Sequence, residues 1–285
     1  MGNVFVTGSF HEAVDFGGGP LTSAGDSDLF VAKLNAAGDY VWAKRFGDAA
    51  YQAGLVMAVD GAGNVLMTGQ FGGAVDFGGG PITTAGSHGL YVAKLDASGD
   101  HVWSKPVGDS GIATGIPANT ITVAAGSTEE VVFTGSFDET ADFGGASLVS
   151  AGGQDLFAAK LDATGRHVFS RREGDGSNQT GLAVAVDGAG NMLLTGRFDG
   201  AVDFGGGPLA SVGSLDIFLV KLNTNGGLLW SKRFGDTADQ HGIGVATDKA
   251  GNVLLTGMFS GTVDFGNGPL VSAGGSDIFV AKFSP

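Results

Sequence analysis

The chain has 285 residues, of which 53 are glycine, near a fifth against a usual share of roughly 7%, while charged residues are only 15% against about 25% on average. This argues against a helical bundle or coiled coil; a collagen period is absent, and 43% hydrophobic residues with 20 Phe argue against disorder, leaving a turn-rich all-β protein. A net charge of -14 works against nucleic acid and anionic membranes as partners, and without cysteine there is no disulfide, thiolate nucleophile or Cys-ligated metal.

No apolar run approaches the ~20 residues of a membrane helix. Met1 leads straight into a strand-like segment without a basic n-region or apolar h-region, so no signal peptide is read in this chain. The first strand carries a motif, Thr7-Gly-x-Phe10, that returns at Thr68, Thr134, Thr195 and Thr256, with spacings of 61, 66, 61 and 61. Eight residues after each Thr comes Asp-Phe-Gly (Asp15, Asp76, Asp142, Asp203, Asp264), and 26 after each a Lys closes an FVAK-like run (Lys33, Lys94, Lys160, Lys221, Lys282). Thirty-five after the first four comes an aromatic: Trp42, Trp103, Phe169 and Trp230.

One repeat reads as four strands in chain order: 182–187, 191–198, 216–223 and 227–236. Asp187-Gly-Ala-Gly-Asn191 and Thr224-Asn225-Gly226 are turns of hairpin length. The longer link between the second and third strands returns in every copy, which predicts an ordered β-arm. Four antiparallel strands per unit, repeated radially, describe a β-propeller. The units are 1–48 (partial), 49–109, 110–175, 176–236 and 237–285 (partial), read as one domain over 1–285. The first unit lacks its first strand and the last its fourth, so the two ends do not add up to one intact blade. Such edges invite strand addition, and the expectation is a five-unit ring with a weak or partner-covered seam.

The runs GLAVAVDGAGNMLLTGRF and DIFLVKLNTNGGLLWSKRFGD resemble the bacterial SBBP repeat, and the Asp-x-x-Gly-Asn turn is similar to that of NHL-type blades. The likeness covers essentially the whole chain. Copy three departs from it, with ITVAAGSTEE (121–130) in place of the turn, and Gly89 stands where other copies have Asp28, Asp155, Asp216 and Asp277. The resemblance implies a non-catalytic binding or scaffold module, extracellular or at the bacterial cell surface, with no activity to inherit.

Motifs with chemical overtones have plainer readings in the repeat. Gly108-Asp109-Ser110-Gly111 spells a serine-protease nucleophile motif, but Gly-Asp also ends the fourth strand at Gly47-Asp48, Gly174-Asp175 and Gly235-Asp236. Asp-Phe-Gly occurs without a phosphate loop and reads as an arm turn. No catalytic or metal-ligating residue is assigned; the Asp60 to Asn64, Asp187 to Asn191 and Asp248 to Asn252 turns offer oxygens for Ca2+, the one cofactor weighed, but fit turn capping better. The repeated aromatics suit packing between blades better than sugar stacking, and His101 and His167 read as solvated strand ends. Asn178-Gln179-Thr180 is a glycosylation sequon by pattern.

The candidate ligand surface comes from topology. Asp48, Gln52, Asp175, Gln179, Asp236 and Gln240 are predicted to ring one mouth of the channel, where amides and carboxylates suit sugar hydroxyls or a cation. The rival reading is that they cap the inner strands. Expected partners are a protein or a second copy through open blade edges, with a glycan as the lectin-like alternative.

Overall fold

A computed structural model describes residues 2–84, 89–107, 121–126 and 129–285. Among them the chain forms strands and turns and no helix. It divides into two compact units, Met1–Thr114 and Gly115–Pro285.

In the first unit, a three-stranded antiparallel sheet (Val4–Phe10, Asp28–Leu34, Tyr40–Phe46) is followed by a four-stranded one (Gln52–Val59, Val65–Phe71, Gly89–Leu95, His101–Val107). The second unit holds two four-stranded sheets. One is Thr122–Ala125, Val131–Phe137, Asp155–Leu161 and His167–Glu173; the other is Gln179–Val186, Met192–Phe198, Asp216–Leu222 and Leu228–Phe234. A three-stranded sheet completes it: Gln240–Thr247, Val253–Phe259 and Asp277–Phe283. Every sheet is an antiparallel meander in chain order, and the link between second and third strands folds into a short hairpin such as Ala201–Val202 with Leu209–Ala210. Repeated four-stranded antiparallel sheets of this kind fit a propeller-type architecture.

The first strand of the repeat begins at Gln179, three residues before the apolar run predicts. Its polar start pairs with Phe198 and Arg197, and a bulge at Gly181/Ala183 then breaks the alternation on which a sequence reading depends.

Thr-Gly-x-Phe now has a physical meaning. Thr195 Oγ1 donates to Phe218 O across the sheet at 2.8 Å, as do Thr7, Thr134 and Thr256 to Phe30, Phe157 and Phe279. Gly196 lies against Thr180 O at the bulge, where any Cβ would collide with that carbonyl. Phe198 is fully buried.

Within each unit, neighbouring sheets bury the faces they turn to one another. In the second unit Leu193, Ile217 and Leu219 from one sheet pack with Val253, Leu255, Phe259 and Phe279 from the next. Leu29 and Val31 meet Val65, Met67, Phe71 and Tyr91 in the same way in the first unit. The repeated aromatics belong to these contacts: Trp42 packs in the first unit's core and donates from Nε1 to Ala97 O of the following repeat at 3.2 Å.

Gly196→Ala is expected to destabilise the protein by roughly 1–3 kcal/mol, the usual range for overpacking. Gly188→Ala, in a turn with open space around its Cα, is expected to be near neutral. Urea unfolding midpoints of the two variants check this.

Candidate functional site

The six residues singled out from the sequence are joined pairwise. Gln52 Nε2 donates to Asp48 Oδ1 (2.7 Å) and Gly72 O (3.1 Å), while its Oε1 accepts from the Asp48 amide at 3.1 Å. Gln179 Nε2 donates to Asp175 Oδ1 and Asp199 O, and Gln240 Nε2 donates to Asp236 Oδ1 and Ser260 O. All three glutamines are fully buried. The aspartates also accept backbone amides from the next repeat's arm: Ala74 to Asp48, Ala201 to Asp175 and Thr262 to Asp236. Burial pushes Asp48 and Asp175 up, but their amide and glutamine bonds outweigh it, and at Asp236 the Ala238 amide leads; all three sit below the ordinary carboxylate range. The aspartates are half-buried, so at these places their outer edges are what a ligand can reach.

The pairs belong to larger sets that the sequence reading did not assemble. Asp28, Asp155 and Asp216, fully buried at the start of their third strands, pair with Arg45, Arg172 and Arg233 of the fourth. Each arginine also donates to the carbonyl of Gly47, Gly174 or Gly235. Those glycines have φ near +150°, and a side chain on Gly47 would run into Asp28 Oδ1 and Gln52 Oε1. The strand entering the next repeat starts by donating from the Gln52, Gln179 or Gln240 amide to Ser27, Gln154 or Leu215 O, at 2.6, 2.6 and 2.7 Å. A carboxylate, a guanidinium and a buried amide thus tie each fourth strand to the next repeat's first. One signal was available: Arg stands two residues before Gly-Asp in three repeats, and the second repeat, which has Gly89 for the Asp, has Pro106 for the Arg.

The Asp-x-x-Gly-Asn turns hold a second ion pair. Asp187 Oδ1 accepts from the Ala189 and Asn191 amides at 2.9 Å, and its Oδ2 meets Lys221 Nζ at 2.8 Å. Asp60 with Lys94 and Asp248 with Lys282 repeat the arrangement. Copy three keeps the charge but moves it: Gly126 replaces the aspartate, Glu130 replaces the asparagine, and Glu130 Oε1 lies 3.4 Å from Lys160 Nζ. Among the described residues no group of three or more His, Asp or Glu side chains is placed to share a metal ion.

Asp-Phe-Gly builds the arm tip, with Asp76 Oδ1 accepting from the Gly78 and Gly80 amides at 2.7 and 3.0 Å. In the first unit this arm borders a polar cleft of about 670 Å³ lined by Lys44, Arg45, Asp76, Asp100 and His101 among others. Lys44 Nζ pairs with Asp100 Oδ1 at 2.7 Å across it, and His101 Nε2 lies 3.2 Å from Ser104 Oγ. His167 makes the equivalent contact with Ser170, at 3.0 Å. The Gly108 to Gly111 motif lies outside the described residues.

One buried acid stands apart. Glu173 occupies the position of Phe46, Val107 and Phe234, which are buried apolar residues in the other repeats. Arg171 Nη2 approaches its Oε1 to 2.5 Å, but desolvation prevails and pushes its carboxyl up to about 7.

An alignment of 90 positions that covers 28% of the chain is 26% identical to an uncharacterized WD repeat-containing protein of Acanthamoeba polyphaga mimivirus. It covers 6% of that protein's length. The likeness is to a repeat protein and agrees with a β-propeller-like reading of the sheets. The chain matches no protein-family model.

Because the folded state holds the Glu173 proton more tightly than the unfolded chain, stability is expected to fall as pH rises from about 4.5 to 7, by roughly 3 kcal/mol. Glu173→Gln is expected to remove that slope, leaving stability at pH 4 little changed and raising it at pH 8, as read from thermal melts across the range.

Proposed function

We propose that the chain is a non-catalytic β-propeller scaffold, built as one domain of five units, that binds protein partners at or outside the bacterial cell surface. The observation that carries this reading is where the repeated polar residues point. Asp28, Arg45, Asp48 and Gln52 and their equivalents bond one another and the backbone, so the residues common to the repeats build a frame. Large apolar side chains, by contrast, stand bare on the last sheet, with Ile278 82% and Val280 74% exposed. Apolar surface of this kind suits a protein partner. The WD-repeat likeness supports a repeat scaffold in general, and the resemblance to the SBBP pattern supports the location. Ca2+ belongs to this proposal only as an optional ligand of the turn aspartates.

A lectin-like reading is favoured by one observation, the polar cleft with Lys44, Asp76, Asp100 and His101. Its mixed charges and open hydrogen-bonding edges suit a glycan better than an apolar ligand.

A glycan array probed with the purified chain, with calcium and with chelator, separates the two. A blank array is expected. Binding to a defined sugar that Lys44→Ala and Asp100→Ala abolish would overturn the scaffold reading in favour of the lectin, and dependence on calcium would point to the turn aspartates.

A further inference from the structure

The junction between the fourth and fifth repeats carries charges that its counterparts lack. Arg197 stands at the third position of Thr-Gly-x-Phe, where the first and third repeats have Ser9 and Ser136. His241 follows the buried Gln240, where Ala53 and Thr180 follow Gln52 and Gln179. Between the first and second repeats the two positions are thus Ser9 and Ala53, between the third and fourth they are Ser136 and Thr180, and none of these titrates. Here Arg197 Nη1 meets His241 Nδ1 at 3.0 Å, from the second strand of one sheet to the first strand of the next. Both side chains are half-buried, and both sheets belong to the second unit.

Elementary chemistry fixes the protonation of that contact. A guanidinium has no lone pair and does not give up its charge in a folded protein, so the ring nitrogen it meets must supply the electron pair. His241 is therefore neutral, with its proton on Nε2. A proton added at Nδ1 would set two donors and two positive charges face to face. The other charge that bears on the ring is Asp239, two residues before it on the same chain. The Ser214 hydroxyl and the Leu215 amide, which donates to Asp239 Oδ1 at 3.4 Å, keep that carboxyl below the usual range, and His241 and Arg197 add to the effect. Met258 and Thr180, the cross-strand neighbours of His241 and Arg197 in their own sheets, are uncharged. Burial first and Arg197 second hold the imidazole below the ordinary histidine value of 6.5, against the pull of Asp239.

We propose that His241 is an acid-operated latch on this junction: neutral, it is held by Arg197 of the preceding repeat; protonated, it leaves Arg197 for Asp239 of its own repeat, and the entering strand loosens from the fourth sheet. One ring has two exclusive partners, one across the junction and one on its own chain, and a single proton chooses between them. The latch joins the two sheets whose apolar faces meet through Leu193, Ile217 and Leu219 on one side and Val253, Leu255, Phe259 and Phe279 on the other. It sits next to Gln240, whose amide donates to Leu215 O at 2.7 Å as the strand enters. Loosening therefore admits water to apolar surface that the neutral form seals. The open form takes up the proton more readily than the closed one, so the closed form is fully favoured above about pH 6.5 and loses ground as pH falls below it. This direction is opposite to the one Glu173 sets at the preceding junction. The inference goes beyond the scaffold reading and does not rest on it.

The test is NMR on the nitrogen-15-labelled full chain carrying Glu173→Gln, which removes the opposing slope. Imidazole nitrogen shifts report the tautomer and titration of His241, and hydrogen exchange at the Gln240 amide, corrected for its intrinsic pH dependence, reports opening. His241 is expected to carry its proton on Nε2 at about pH 8 and to titrate below 6.5. Opening at Gln240 is expected to rise by up to about tenfold per pH unit below about 6.5, the response to one proton. Arg197→Ser, which installs the residue of the first and third repeats, is expected to raise the titration of His241 and flatten the opening. Asp239→Asn, which installs the residue found at Asn178, is expected to lower the titration further; unchanged amide spectra at about pH 8 confirm that both variants fold. A ring with its proton on Nδ1 at about pH 8 overturns the proposal. So does Gln240 protection that stays constant down to about pH 5, or acid opening that Arg197→Ser leaves as it was.

Discussion

A sheet with two apolar faces must be covered on both, and the observed junctions depend on how one repeat is tied to the next. The tie is a buried carboxylate held by an arginine of the fourth strand, beside a glycine through which the chain passes to a buried glutamine. Asp216, Arg233, Gly235, Asp236 and Gln240 make one such set. An unpaired charge at Asp216 would be strongly unfavourable, so the arginine and the backbone have to be in place together. That requirement orients the entering strand. Gly242 of that strand then lies over Thr195 and Ile217 of the previous sheet, close enough that a Cβ would not fit.

The second repeat lacks this set. After the second repeat Gly89 takes the place of the aspartate and Pro106 that of the arginine, while Ala113 stands four residues after Asp109 where Gln follows elsewhere. The partners are lost together, as members of one hydrogen-bonded network are expected to be, since any one left alone in a buried site would be unsatisfied. The chain divides into its two compact units in this part of the sequence. A different kind of exchange occurs in copy three, where the acid partner of Lys160 moves from one end of the turn to the other as Glu130 and the ion pair survives. Position within the turn is negotiable; the charge facing the buried lysine is not.

The amino-acid sequence by itself determined the all-β class, the repeat and nearly every strand, because glycine turns and apolar runs are local signals that repeat at a fixed spacing. It also marked Asp48, Gln52 and their equivalents as special. It did not disclose that Gln52 is buried, or that its neighbours are Asp28 and Arg45, since those residues lie 24 and 7 positions away and only pairing of third and fourth strands brings them together. Tertiary structure alone decided the fate of identical chemistry: Leu219 and Val280 hold the same position in the same motif, yet one is sealed and the other bare. Burial depends on which surface arrives opposite a residue, and a residue's own sequence neighbourhood carries no record of that.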